Sequence, residues 1–170
     1  MNRKTLALKT GKALLWLAVF FAASLIADWW RSPNPPANAA DLPLHTLAGR
    51  DTTLRQSSSG QTLVLYFWGS WCGICRRTSP AIEQLRADGV PVIGVAMQSG
   101  SDADIGRYLA EHGWHFDTVN DSGTLAQQWQ VRAVPTVVLV RNGRIVHSTS
   151  GIASYYGLKS RIRLADWKDG

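Results

Sequence analysis

Hydrophobic residues along this chain form short runs whose spacing alternates between that of strands and that of helices. Two continuous runs rich in β-branched and aromatic residues, at 62–68 and 90–96, predict buried strands. Two later apolar runs, at 136–140 and 145–150, are joined by Asn142-Gly143, a pair that favours the tight turn of a β-hairpin. The second half of the chain should therefore contribute a hairpin to the sheet that the first two runs begin.

Apolar residues between these strands recur every three to four positions, which predicts helices. The predicted helices span 74–87, with Pro80 inside, 101–112, 122–129 and 154–167. A short alternating pattern at 42–54 predicts a two-stranded ribbon ahead of the first buried strand. Together these elements predict an α/β domain with a central mixed β-sheet flanked by helices.

The first 40 residues follow a different pattern. Residues 1–12 hold four basic side chains, and an unbroken run of small and apolar residues follows at 13–27, closed by Trp29 and Trp30. We predict a transmembrane signal anchor at 13–30, with the basic head at 1–12 in the cytoplasm, because interfacial tryptophans and a snorkelling lysine extend the apolar length. The proline-rich stretch 31–41 predicts an extended, solvated linker to a domain at 42–170.

A cleavable secretory signal is the alternative for this N-terminal segment. Ala37-Asn38-Ala39 resembles a processing site, but it lies well beyond the end of the apolar run, which favours the uncleaved anchor. Both alternatives send the domain out of the cytoplasm. In a Gram-negative bacterium, the chain would cross the inner membrane once and hold its domain in the periplasm.

The charge of the domain gives no support for nucleic-acid binding. The whole chain has a formal net charge of +6, but four of its basic residues belong to the head at 1–12. The remainder carries 14 Lys and Arg against 12 Asp and Glu, which is an ordinary soluble surface.

The two cysteines of the chain stand in the sequence Trp71-Cys72-Gly73-Ile74-Cys75, between a predicted strand and a predicted helix. Thiols with two residues between them can close a disulfide with little backbone movement. The first thiol then lies where unpaired helix amides favour a thiolate, the species that attacks disulfides. This position predicts a redox-active dithiol.

Other chemistries of a two-cysteine pair fit less well. A closed zinc site needs four ligands, and the four histidines of the chain have no paired spacing, so we expect no metal. Haem attachment needs a histidine where Arg76 stands. A purely structural disulfide stays possible, although so small a loop removes little entropy from the unfolded chain. A copper(I)-binding module that uses the two soft thiolates is the rival from another functional class.

The stretch from Phe67 to Cys75, with Pro80 downstream, resembles the active-site segment of thioredoxin-fold proteins, and Val134-Pro135-Thr136 resembles their cis-proline loop. The resemblance covers about 42–167. The predicted anchor, the ribbon and a helix-strand insertion at 101–119 are similar to the membrane-tethered, TlpA-like branch, which includes cytochrome c maturation reductases. The Gly-Ile dipeptide and the run from Val131 to Thr136 resemble its suppressor-of-copper-sensitivity D (ScsD) proteins most.

The resemblance implies a thiol-disulfide oxidoreductase with no cofactor other than its own disulfide. Cys72 would attack and Cys75 would resolve, while the substrate-binding residues would be Trp71, Gly73, Ile74, Val134 and Pro135. Its partners would be protein thiols or disulfides and a membrane thiol electron donor. No histidine separates the two cysteines, which favours a reductase over a strong oxidant.

The chain departs from its family at the expected proton acceptors. Tyr66 stands where thioredoxin has a buried aspartate, and Thr78 where many tethered reductases have a glutamate. Glu83 is the next acidic residue along the predicted helix, and we expect it to be a solvated surface charge. Arg76 and Arg77 add positive charge near the dithiol, or are simply solvated helix residues; the sequence leaves both open.

Overall fold

The computed structural model describes Trp16, Val19 and residues 33–168. The chain divides into two units, Met1–Arg31 and Ser32–Gly170. The predicted head at 1–12 and nearly all of the predicted anchor at 13–30 lie outside the described residues and stay predictions. Among the residues that are described, no helix is long and apolar enough to cross a membrane.

The segment before the main sheet forms the predicted ribbon. Strands β1 (Leu44–His45) and β2 (Asp51–Thr52) pair antiparallel and lead into the short helix α1 (Leu54–Ser57). The preceding residues are not the extended, solvated linker that we expected. The Asn34 amide donates to the Trp129 carbonyl, and Ala39 is buried in the domain core, so this stretch packs on the domain.

Within the described residues, five strands form a mixed sheet: β3 (Leu63–Trp68), β4 (Val92–Met97), β5 (Asp117–Asp121), β6 (Thr136–Arg141) and β7 (Arg144–Ser150). Their order is β5-β4-β3-β6-β7, with β3 at the centre, parallel to β4 and antiparallel to β6. The β6–β7 hairpin turns at Asn142 and Gly143, both with positive φ, as the sequence predicts. The mixed sheet confirms the predicted fold class.

The helices that accompany the sheet are α2 (Cys75–Ala87), α3 (Asp102–Glu111), α4 (Thr124–Gln128) and α5 (Tyr155–Lys168). α3 begins where predicted, because Ser101 and Asp104 form a reciprocal capping box in which each side chain accepts the other residue's backbone amide. α3 and β5 are the predicted insertion, and they place β5 at one edge of the sheet.

The alternation of side chains along β3 divides the core into two layers. Val64, Tyr66 and Trp68 point to the layer that contains the buried faces of α2, α3 and α5. Their neighbours in β3 point to the other layer, which the ribbon, α1 and Trp129 cover. All six residues of β3 are buried, as expected for a central strand. This rigid strand ends directly at the loop that carries the cysteines.

Asp121, the last residue of β5, fixes the start of α4. Its buried carboxylate accepts hydrogen bonds from the amides of Gly123, Leu125 and Ala126, at 2.9–3.0 Å. Three otherwise unpaired amides at a helix start are thereby satisfied by one side chain.

We expect Asp121→Ala to lower the free energy of unfolding by about 1–2 kcal/mol, because the amides at the start of α4 lose their acceptor in a buried setting. Asp121→Asn keeps one acceptor oxygen and should cost less. Urea unfolding of the two variants measures the difference. Equal stability of Asp121→Ala and the wild type would contradict the capping role.

Candidate functional site

The two cysteines lie where the carboxyl end of β3 passes into α2. They form a disulfide with their Cα atoms 5.2 Å apart. Both are buried residues, but Cys72 is 7% exposed against 1% for Cys75. A partner thiol can therefore approach Cys72, whereas Cys75 is shielded within the first turn of the helix.

The backbone of the first helical turn is directed at Cys72. The Cys75 amide lies 3.1 Å from Cys72 Sγ and also 3.1 Å from the Cys72 carbonyl oxygen. No side chain caps the start of α2, and the Cys75 amide is shared between Cys72 Sγ and the Cys72 carbonyl oxygen. When the disulfide is reduced, the same amide and the positive end of the helix dipole would stabilise a thiolate at Cys72.

The loop before Cys72 is fastened to the end of β4. The Ser70 amide donates to Ser99 Oγ, which in turn donates to the Met97 carbonyl. Trp71 Nε1 donates to the same carbonyl at 3.0 Å, although the side chain is 59% exposed. A Cβ on Gly69 would lie 2.7 Å from the Trp71 indole, so glycine leaves the room that this ring occupies. The indole of the residue before Cys72 is thus anchored to the end of β4.

The Val134-Pro135 loop lies against Cys72. The peptide bond between these two residues is cis, as the sequence resemblance predicts. The Val134 carbonyl oxygen lies 3.8 Å from Cys72 Sγ. Pro135 is itself held, because its carbonyl accepts the Gly151 amide at 2.8 Å. An extended polypeptide that reached Cys72 would meet the backbone of this loop.

Comparison with known proteins supports this combination of dithiol and proline loop. A model of the AhpC/TSA family matches residues 35–148, which include both cysteines and Pro135. The chain belongs to the AhpC/TSA family. It is a thioredoxin-like thiol-disulfide oxidoreductase.

Three relatives illustrate the likeness. A thioredoxin-like protein of Haemophilus influenzae is 40% identical over 161 residues, which cover 94% of this chain and 95% of the relative. The thiol:disulfide interchange protein DsbE of Pseudomonas aeruginosa is 30% identical, over 89% of this chain and 87% of the relative. The crystal structure of a putative DsbE from Chlorobium tepidum has a TM-score of 0.64 at 26% identity, covering 79% of this chain and 97% of that one.

The side chains behind Cys75 include three hydroxyl groups, those of Tyr66, Ser79 and Thr78. Buried Tyr66 donates its hydroxyl to the Cys75 carbonyl at 3.3 Å and pairs with Ser79 Oγ at 3.0 Å. Burial raises the pKa of Tyr66 well above its ordinary value, so the hydroxyl stays protonated at neutral pH. Buried Thr78 has no hydrogen-bond partner for its hydroxyl among the described residues. Neither position offers a base.

The expectation that Glu83 is a solvated surface charge was wrong. Its side chain is only 16% exposed, and its carboxylate binds Arg86 and the backbone amide of His115. Partial burial acts to raise the pKa of Glu83, but the hydrogen bonds from Arg86 and His115 outweigh it and lower the pKa. Glu83 joins α2 to the segment before β5, which is a structural role.

The structure brings the predicted site residues together around one sulfur. Trp71, Gly73 and Ile74 are exposed on the cysteine loop, and Val134 lies against Cys72. Their roles in catalysis and substrate binding stay predictions. No group of three or more potential metal ligands occurs in the described part of the chain, and the expected absence of a metal stays a prediction too.

Sequence reasoning missed three residues whose hydrogen bonds support the cysteine and proline loops: Ser99, Ser79 and Gly151. A usable signal existed for Ser99. β3 and β4 are adjacent parallel strands, so their carboxyl ends meet at one edge of the sheet, and the residues that follow them must be neighbours. The other two have no comparable signal. Ser79 meets the Tyr66 hydroxyl, and the Gly151 amide meets the Pro135 carbonyl, only once the fold has brought these segments together.

We expect Gly69→Ala to displace the Trp71 indole, because the added Cβ would overlap the ring. The fold should persist, since the exposed ring can swing out, but the hydrogen bond to Met97 would be lost. Disulfide exchange should slow, by up to about a hundredfold, since a misplacement of about 1 Å in a group that positions a substrate can cost that much. Tryptophan fluorescence and exchange rates with a peptide disulfide measure both effects.

Gly106→Ala is the matched control for this substitution. Gly106 lies inside α3 with open space around it, so the added methyl should leave exchange unchanged and stabilise the helix slightly. Unchanged exchange in Gly69→Ala would show that the position of Trp71 does not matter to the reaction.

Proposed function

We propose that this protein is a membrane-tethered reductase that transfers electrons to disulfides or oxidised cysteines of proteins in the bacterial periplasm. The observation that supports it most is the arrangement of Cys72, which is the more accessible sulfur, lies at the amide-lined start of α2 and faces the Val134 carbonyl. A nucleophilic thiol that meets an extended polypeptide needs these three conditions together.

The reaction starts from the reduced dithiol. The Cys72 thiolate attacks one sulfur of a substrate disulfide, so a mixed disulfide forms and the other substrate sulfur leaves as a thiolate. The Cys75 thiol then loses its proton and attacks Cys72 Sγ, which releases the second substrate thiolate. Two electrons have passed to the substrate, and the protein is left with the Cys72–Cys75 disulfide seen in the structure.

The proton of Cys75 has no carboxylate acceptor at the positions where the family offers one. Tyr66 cannot accept it at neutral pH because the buried hydroxyl keeps its own proton. The Thr78 hydroxyl is also too weak a base to accept this proton. Solvent is therefore the acceptor in this mechanism, and water reaches Cys75 when the disulfide with Cys72 opens.

The proposed direction of electron transfer, from this protein to its substrate, depends on the residues between the cysteines. Gly73 and Ile74 add no charge beside the thiolate, whereas an additional positive charge there would stabilise the reduced state and make the protein an oxidant. A reductase outside the cytoplasm needs a source of electrons, and a membrane dithiol is the donor proposed. The apolar run at 13–30 would keep the domain near such a donor.

The proposed setting is the inner membrane, with the domain in the periplasm and a role in envelope redox or copper stress. The basic head and apolar run of the sequence support the tether. The resemblance of the Gly73-Ile74 dipeptide and of residues 131–136 to ScsD proteins supports the link to copper.

Cys75→Ala should accumulate a mixed disulfide between Cys72 and its substrate, because the resolving thiol is gone. The variant is expressed in its native cell under redox or copper stress, and the trapped proteins are identified after acid quenching and alkylation. The double variant that also carries Cys72→Ser is the control and should trap nothing.

The same cells report the direction of transfer. In the wild type, the proposed reductase should hold most of its Cys72–Cys75 pair as dithiol, since a donor keeps it reduced. A pair that is mostly oxidised in the cell would make the protein an oxidant. Tight copper(I) binding without any trapped partner would replace the oxidoreductase proposal by a metal-binding one.

A further inference from the structure

Four segments of the chain surround the disulfide, and we call them the rim: residues 69–80, 97–101, 130–136 and 150–154. The first contains the cysteines, and hydrogen bonds from Ser70 and Trp71 join it to the second. The third approaches Cys72 through Val134, and the Gly151 amide joins the fourth to the third. A polypeptide bound at Cys72 would lie on these segments.

The rim carries positive charge only. It contains Arg76, Arg77 and Arg132 and no aspartate or glutamate. All three arginines are exposed. The positive end of the α2 dipole adds to this charge at the same place. The domain as a whole is nearly balanced, so the rim is a local concentration of positive charge.

Arg76 and Arg77 are also available to a partner. Some exposed arginines pair with carboxylates, as Arg55 does with Asp41 at 2.6 Å. Among the residues that the structure describes, no carboxylate pairs with Arg76 or Arg77. The Arg76 guanidinium reaches back over the cysteine loop, 4.0 Å from where a Cβ of Gly73 would be. Its charge is therefore beside the path to Cys72.

Apolar side chains are exposed on the same rim. Trp71 is 59% exposed, Ile74 is 50% exposed and Ile152 is 67% exposed. Exposed large apolar residues that cluster around a reactive group mark a contact surface for a macromolecule. The combination of these apolar side chains with the guanidinium groups of Arg76 and Arg77 fits a polypeptide whose cysteines have acidic neighbours.

We propose that the rim selects protein substrates whose target disulfide is flanked by aspartate or glutamate. This inference rests on the proposed function and names its substrate class. Arg76 and Arg77 attract the acidic flank and raise the rate of encounter, while Trp71, Ile74 and Ile152 hold the segment against Cys72. Because the arginines are exposed, salt screens their effect over about 10 Å at 0.1 M ionic strength.

The test uses the full chain in lipid nanodiscs, reduced beforehand, in single turnovers with cyclic peptide disulfides. The peptides are identical except for two residues beside one cysteine, which are both Glu, both Gln or both Lys. Each rate is divided by the rate of the same peptide with dithiothreitol, which removes differences in intrinsic reactivity. The oxidation of Cys72 and Cys75 is followed by alkylation and mass spectrometry.

Arg76→Gln/Arg77→Gln is the test variant, and Arg144→Gln is the matched control. Arg144 is exposed and begins β7 at the turn, at the opposite end of the hairpin from Pro135. The control therefore removes a positive charge without touching the rim.

We expect the wild type to react about three- to tenfold faster with the Glu peptide than with the Lys peptide at low salt. The ratio should fall towards one near 0.5 M salt. The Arg76→Gln/Arg77→Gln variant should lose most of this preference, and Arg144→Gln should keep it.

Equal rates for the three peptides in the wild type would overturn the inference and leave the proposed function intact. An equal slowing of all three peptides in the double variant would overturn it too, because the arginines would then act only on the Cys72 thiolate. Failure to react with any peptide disulfide would contradict the proposed function, and the inference would fall with it.

Discussion

The contact between the first turn of α2 and Cys72 is the interaction on which the site depends. The first amides of a helix lack the acceptors that later turns provide, and here the Cys75 amide lies 3.1 Å from Cys72 Sγ and 3.1 Å from the Cys72 carbonyl oxygen, with no capping side chain. The arrangement favours negative charge at Cys72 in the reduced protein. It also separates the two sulfurs by function, since Cys75 lies inside the turn and Cys72 at its open end.

The rest of the domain keeps the start of α2 in place and leaves Cys72 accessible to a partner. β3 is buried on both faces and delivers the loop to a fixed point, while Ser99 and the Met97 carbonyl hold the loop from the end of β4. The cis-proline loop comes from a part of the chain 62 residues further on and places the Val134 carbonyl 3.8 Å from Cys72 Sγ. Trp71 therefore combines a fixed position with high exposure, which suits a residue that contacts a partner.

Local patterns made much of the fold predictable. The Asn142-Gly143 turn, the Ser101 capping box and the continuous apolar run of β3 each depend on residues close together in the sequence. The cysteine pair and the helix after it were predictable for the same reason. The cis bond before Pro135 was predicted from a family resemblance, because an X-Pro pair alone does not determine its isomer.

What escaped prediction depends on contacts between distant segments. Glu83 was expected in solvent, but the fold brings the His115 amide to its carboxylate. The stretch 31–41 was expected to be an extended, solvated linker, yet Ala39 enters the core. Ser99 has no motif of its own and acquires its role from the parallel pairing of β3 and β4. In each case the decisive partner lies many residues away in the sequence.

The relative reactivity of the two thiols tests the central claim most directly. The reduced protein is treated briefly with iodoacetamide at pH 7, and the alkylated fraction of each cysteine is measured by mass spectrometry. The account predicts that Cys72 reacts at least about tenfold faster than Cys75, because it is the more accessible sulfur and its thiolate is stabilised by the start of α2. Equal reactivity, or faster alkylation of Cys75, would contradict it.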